Sequence, residues 1–201
     1  MASRTFDYFE HFGSLARRSI ATQQDASVMG LEEAIDWAIA SARKTCELGN
    51  KLIFIGNGGS SAIASHMATD YSKNGKLRAM AFNDSATLTC LGNDLGYENV
   101  FATQLDWHAR PGDLLIAISS SGKSPNILKA VKVARARECS IFTLSGFEAD
   151  NPLRTMGDVN IHVPSNEYGF VEIIHLSICH CILDFSMGLG RVPAALVTSA
   201  A

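Results

Sequence analysis

From Lys51 onward the chain alternates short apolar runs with stretches of helical periodicity, and this alternation constrains the fold more than any other feature. Strands are expected at Leu52–Ile55, Ala79–Phe82, Leu114–Ile118, Ile141–Leu144 and Val159–Val163, with helices between them. Right-handed crossovers then wind the chain into an α/β fold, a doubly wound five-stranded parallel sheet covered on both faces. With 201 residues, 47% of them apolar, the chain is long enough to bury a sizeable core, and one domain is expected over 1–201.

Two further helices precede this alternation. Residues 5–24 carry Phe9, Phe12, Ala16 and Ile20 at helical spacing, with Gln23-Gln24-Asp25-Ala26-Ser27 as an exit. In the next segment Leu31, Ile35, Ala38, Ile39, Ala42 and Cys46 form one stripe, Glu32 and Glu33 sit in the first turn, and Gly49-Asn50 ends it. The pair over 1–49 either covers one end of the sheet or joins copies of the chain, and the aromatic content of the first helix favours the second role. The α/β core spans 50–190. A tail at 191–201 is expected to be frayed or lightly docked.

Charge and cysteine content narrow the classes. A formal net charge of −3 offers no basic surplus for nucleic acid or an anionic membrane. Five cysteines, an odd number mostly within apolar patterns, read as reduced thiols of a cytoplasmic protein. The N-terminus lacks a signal-peptide apolar core, and no apolar run approaches the roughly 20 residues that span a bilayer.

The first strand empties into Gly56-Asn57-Gly58-Gly59-Ser60-Ser61 and then a helix. Glycines allow close backbone approach, and the helix N-terminus offers unpaired N–H groups at a positive dipole end, so the turn is an anion cradle. After the third strand, Ser119-Ser120-Ser121-Gly122-Lys123-Ser124-Pro125 supplies a second, with Ser124 as N-cap, Pro125 at the first helical position and Lys123 as an added charge if it turns inward. Ala117 stands where a nucleotide-triphosphate loop needs its first glycine, and Ser61 where the dinucleotide fingerprint needs its last. In the strand order 2-1-3-4-5 both loops meet at the topological switch point, which points to a phosphorylated small molecule held by Asn57, Ser60, Ser119, Ser121 and Ser124; a cofactor pyrophosphate is the competing guest. His66 and Asp70, four apart on the first crossover helix, share a face that starts at this crevice and can ligate a metal or relay a proton. Glu172, His175 and His180 lie in an aliphatic last helix from about Gly169 to Leu189, where His175 suits a core position and periodicity leaves His180 open.

Taken together, the glycine-serine turn with His66, the Gly92-Asn93-Asp94 break after a short helix opening near Asp84, the serine loop at 119–124 and the His175/His180 helix resemble the phosphoheptose isomerases of the sugar isomerase (SIS) domain superfamily, over about residues 31–190. The resemblance implies a flavodoxin-like SIS fold, a homotetramer with sites at subunit interfaces, and conversion of sedoheptulose 7-phosphate to D-glycero-D-manno-heptose 7-phosphate through an enediol. It implies substrate binding by Asn57, Gly58, Ser60, Asp94, Ser119, Ser120, Ser121 and Ser124. It also implies a metal-and-catalysis set of His66, Asp70, Glu172 and His180 around one Zn²⁺ per subunit, with Asp70, Glu172 and His180 catalytic and no nucleotide cofactor. Asp70 replaces the family's glutamate and Glu172 its glutamine. Eight helical residues, ~12 Å along the axis, separate Glu172 from His180, so the two share a site only through an irregular helix start or a second subunit. The alternatives are a non-catalytic relative that binds a sugar phosphate or a protein, in the manner of replication-initiator-associating proteins, and an isomerase for another ketose phosphate.

Overall fold

The computed structural model describes residues 3–190; the tail at 191–201 lies outside them. Its elements run α1 (Arg4–Arg17), β1 (Ile20–Gln23), β2 (Val28–Met29), α2 (Leu31–Glu47), β3 (Leu52–Gly56), α3 (Gly59–Lys73), β4 (Ala79–Ala81), α4 (Ser85–Leu95), α5 (Val100–His108), β5 (Leu114–Ser119), α6 (Pro125–Ala136), β6 (Ser140–Ser145), β7 (Val159–His162) and α7 (Tyr168–Ser186). The sheet order is β2-β1-β7-β6-β5-β3-β4, and β4, β3, β5, β6 and β7 are mutually parallel. Those five strands realise the expected 2-1-3-4-5 order.

The sheet nevertheless has seven strands and not five. Residues 20–29, expected to finish and follow the first helix, form an antiparallel hairpin whose first strand pairs with β7. The helix stops at Arg17, and Ile20, fourth in the predicted helical stripe, opens β1. The tight turn is set by Asp25, which accepts from the Ser27 backbone N–H and hydroxyl, and by Ala26 at φ 67°. A second correction concerns Gly92-Asn93-Asp94, which lies inside α4; the break comes at Gly96, whose φ of 88° only glycine adopts readily.

Alternate residues of the central strands feed two cores. Leu52, Phe54, Ile116, Ile118 and Phe142 face α2, α3 and α7, whereas Ile53, Ile55, Leu115, Ala117 and Ile141 face α5 and α6. Every residue of β3 and β5 is buried. Helix α7 is long and apolar enough to cross a membrane by length and composition, beyond what the sequence reading allowed. Here it packs on α2 and α3 and buries Val171, Ile174, Ile178 and Ile182 in the first core. Cys139 and Cys179 are buried, Cys46 and Cys181 half-buried, Cys90 exposed, and all five are free thiols.

His175 is a core residue, as its aliphatic setting predicts. Its Nε2 donates to the Ser145 carbonyl at 3.0 Å and so ties α7 to the end of β6. Burial pushes His175, and also His162 on β7, down to about 4. The unfolded chain takes up protons near pH 6.5 and the folded chain does not, so stability is complete above that pH and falls as pH drops toward 4, by on the order of 3 kcal/mol per histidine. Urea midpoints measured between pH 7 and 4.5 should decline, and His175→Gln, which keeps a donor at the same reach, should flatten the decline. An unchanged slope would assign the loss to other groups.

Candidate active site

The first cradle is built by steric necessity. A Cβ on Gly56 would strike the Ser60 backbone, so glycine there lets α3 start directly against the end of β3. Gly58 turns the chain at φ 53°, and the N–H groups of Ser61 and Ala62 bond back to Asn57 and Gly58. Among the described residues, the Gly59 and Ser60 N–H groups have no backbone acceptor. They are the free donors of a helix N-terminus.

β5 lies beside β3 in parallel register, with Gly56 opposite Ile118, and this delivers the second cradle alongside the first. Gly122, at φ 61°, turns the loop where a Cβ would fall on Asn151, and Ser124 and Pro125 open α6 as predicted. Ser119 donates to Ser124 at 3.4 Å, and Ser121 accepts from the Lys123 N–H at 3.2 Å. The Ser120 hydroxyl is buried without a partner among the described residues, while its carbonyl accepts from Gly146 N. Between the loops lies a cavity of about 270 Å³, lined by residues 57–60, 118–121 and 124 together with Tyr168 and Glu172. Lys123 is exposed and does not line the cavity, and among the described residues no cationic side chain does.

The sequence reading missed three neighbours. Asn126 in the first turn of α6 is buried and exchanges two hydrogen bonds with Asn57, at 2.8 and 2.9 Å, and the Tyr97 hydroxyl donates to Asn57 at 3.2 Å. Tyr168 closes the cavity at the start of α7. An asparagine on the buried face of a helix was the available signal for Asn126; the tyrosines carry none.

Farther along α3, His66 Nε2 stands 3.5 Å from Asp70 Oδ2, and the His180 ring lies 5.3 Å from that of His66. Donor atoms of these three lie within 4.8 Å of one another. Tetrahedral zinc needs donors ~3.3 Å apart, so the three stand near that spacing without meeting it. Glu172 is not brought into this group. It sits in regular helix two turns before His180 and joins the serine cavity instead, its carboxylate packed where a Gly59 Cβ would be. Asp94 is exposed on α4, accepts from Asn93 at 2.7 Å and does not line the cavity.

A second cavity, about 290 Å³, opens at the other end of the strands. Lys51 there is ion-paired with Asp113 at 2.6 Å and donates to the His108 carbonyl, while Arg78 donates to the Gly49 carbonyl. These cations answer helix C-terminal carbonyls.

Two serine-lined helix N-termini meeting at the switch point of a doubly wound sheet define a sugar isomerase domain. The SIS domain family matches residues 7–146, and the chain belongs to that family. Within it the chain is similar to the phosphoheptose isomerase of Shewanella loihica, at 36% identity over 193 residues, 92% of this chain and 93% of the relative. The phosphoheptose isomerase of Shewanella frigidimarina is 38% identical over 175 residues, 83% of this chain and 88% of the relative. The solved phosphoheptose isomerase of Neisseria gonorrhoeae superposes with a TM-score of 0.78 at 28% identity, covering 91% of this chain and 97% of that one.

The Asn57–Asn126 pair fixes the first cradle against the second. Asn126→Ala should lower the unfolding free energy by about 1–3 kcal/mol, because a part-buried amide loses its partner. Urea denaturation measures this, and an unchanged value would show that the pair contributes nothing.

Proposed function

We propose that this protein is an aldose–ketose isomerase of a phosphorylated sugar, converting sedoheptulose 7-phosphate to D-glycero-D-manno-heptose 7-phosphate through an enediol. The observation that carries the reading is the meeting of two neutral anion cradles beside α3, the helix that also presents His66 and Asp70. The names of the relatives, matched over nearly the whole chain, point to the same reaction.

The substrate phosphate is held by Asn57, Gly58, Ser60 and the serines at 119, 120, 121 and 124, through backbone N–H groups and hydroxyls. Isomerisation needs a base for the proton beside the carbonyl and an acid for the carbonyl oxygen. Asp70 or Glu172 does the base work, and His180 handles the second proton. His66, Asp70 and His180 would hold the metal, one zinc per subunit, which when bound polarises the carbonyl and the enediol oxygens. Asp94 remains a candidate polar contact.

We also propose a homotetramer with sites at subunit interfaces. Phe6 and Phe9 of α1 are 73% and 63% exposed, as an oligomer-forming face would be in one protomer. The separation of Glu172 from His180 supports the same assembly, since a neighbouring copy can bring one set beside the other. In this reading the chain is one SIS domain working in the cytoplasm.

Turnover assays with a panel of ketose phosphates test the reaction; binding of one without turnover would leave a sugar-phosphate sensor. His180→Ala should lower kcat by roughly 10²–10⁴ with retained phosphate binding. Full activity after metal stripping would remove the zinc, and full activity of His180→Ala would remove the acid–base assignment.

A further inference from the structure

Glu172 is the only carboxylate lining a cavity whose other lining groups are neutral: serines, glycines, Asn57, Ile118 and the Tyr168 phenol. Its two oxygens lie against Gly59, the first residue of α3, so closely that a Cβ there would overlap them. The Gly59 and Ser60 N–H groups, at the positive end of the α3 dipole, have no backbone acceptor among the described residues. No lysine, arginine or histidine pairs with Glu172 among those residues. The carboxylate accepts no hydrogen bond among the described residues, and the positive charge it stands nearest to is the end of the α3 dipole at the helix N-terminus that an incoming phosphate needs.

We infer that Glu172 is a tethered anion that competes with the substrate phosphate for the N-terminus of α3, and that phosphate binding displaces it from Gly59. This rests on the sugar-phosphate reading of the cavity and adds a consequence to it. Affinity for the phosphate group is set below what the two cradles alone provide, because two anions at one helix N-terminus repel each other. Arrival of the phosphate is also what frees the Glu172 carboxylate, so that base work by this residue depends on the cradle being filled.

The test is the affinity of the full chain for inorganic phosphate, by calorimetry and by the phosphate-induced rise in Tm, in wild type, Glu172→Gln and Glu172→Ala. Gln keeps the shape without the charge; Ala removes both and serves if the Gln side chain repacks. Both variants should bind phosphate at least tenfold more tightly. They should also melt lower than wild type without phosphate and gain more Tm on its addition, since the tethered anion no longer stabilises α3. A merely structural role for Glu172 would lower Tm without tightening phosphate binding. If wild type turns over a ketose phosphate while both variants bind phosphate no more tightly, the competition is overturned and the isomerase reading stands. If wild type neither binds phosphate nor turns over any ketose phosphate, both are overturned.

Discussion

The parallel pairing of β3 with β5 is the contact on which the rest depends. Both strands are buried along their whole length, so their register is fixed by two cores at once, and a one-residue slip would exchange the faces of Phe54 and Ile55. With the register set, Gly56 and Ile118 end side by side, and the helices that follow must begin at neighbouring points. Gly56 tightens this further, because its missing side chain is the space into which the first turn of α3 fits. The pairing of the two loops, and with it the anion site proposed there, is thus a consequence of sheet packing.

The third wall is held by a less obvious route. His175 donates to the Ser145 carbonyl, Gly146 donates to Ser120, and a Cβ on Gly146 would strike Val171 of α7. Helix α7 is thereby referenced to the serine loop through the end of β6. A histidine serves here because its ring reaches a carbonyl from inside an apolar helix face and stays neutral when buried. The same burial holds the ring's pKa below the ordinary histidine value, which is why acid is expected to weaken the fold.

Much of this was legible in the sequence because glycine, serine and proline report backbone chemistry directly. Gly56, Gly58 and Gly122 occupy turns or close approaches that a Cβ would block or strain, and Ser124-Pro125 starts α6 where capping rules put it. The hairpin at 20–29 was not legible, since a four-residue strand beginning with Ile20 continues a helical stripe by coincidence of spacing. Gly92 misled for the opposite reason: glycine is tolerated inside α4, and the break it appeared to mark belongs to Gly96. Asn126 was missed because its partner, Asn57, is 69 residues away and the pairing is purely tertiary. The obstacle between Glu172 and His180, by contrast, followed from helix rise alone, and the regular α7 retains it.

That obstacle becomes informative when α3 and α7 are taken together. Glu172 lies against Gly59 and His180 against His66, so the helices run parallel, with seven residues of one matching eight of the other. The cradle and the histidine group are therefore two ends of one seam, ~10 Å apart along α3. Glu172 and Asp70 then are not interchangeable carboxylates: one stands at the phosphate end and the other at the histidine end. Asp70 stands 3.5 Å from His66, at the histidine end within one chain. In the proposed reading a substrate anchored by its phosphate extends along the seam to reach that group, or meets the same group on a neighbouring copy. In both cases the proposed reading puts a phosphate at one end of the seam and a reacting carbonyl at the other, and a ligand lacking either would fill only half of it.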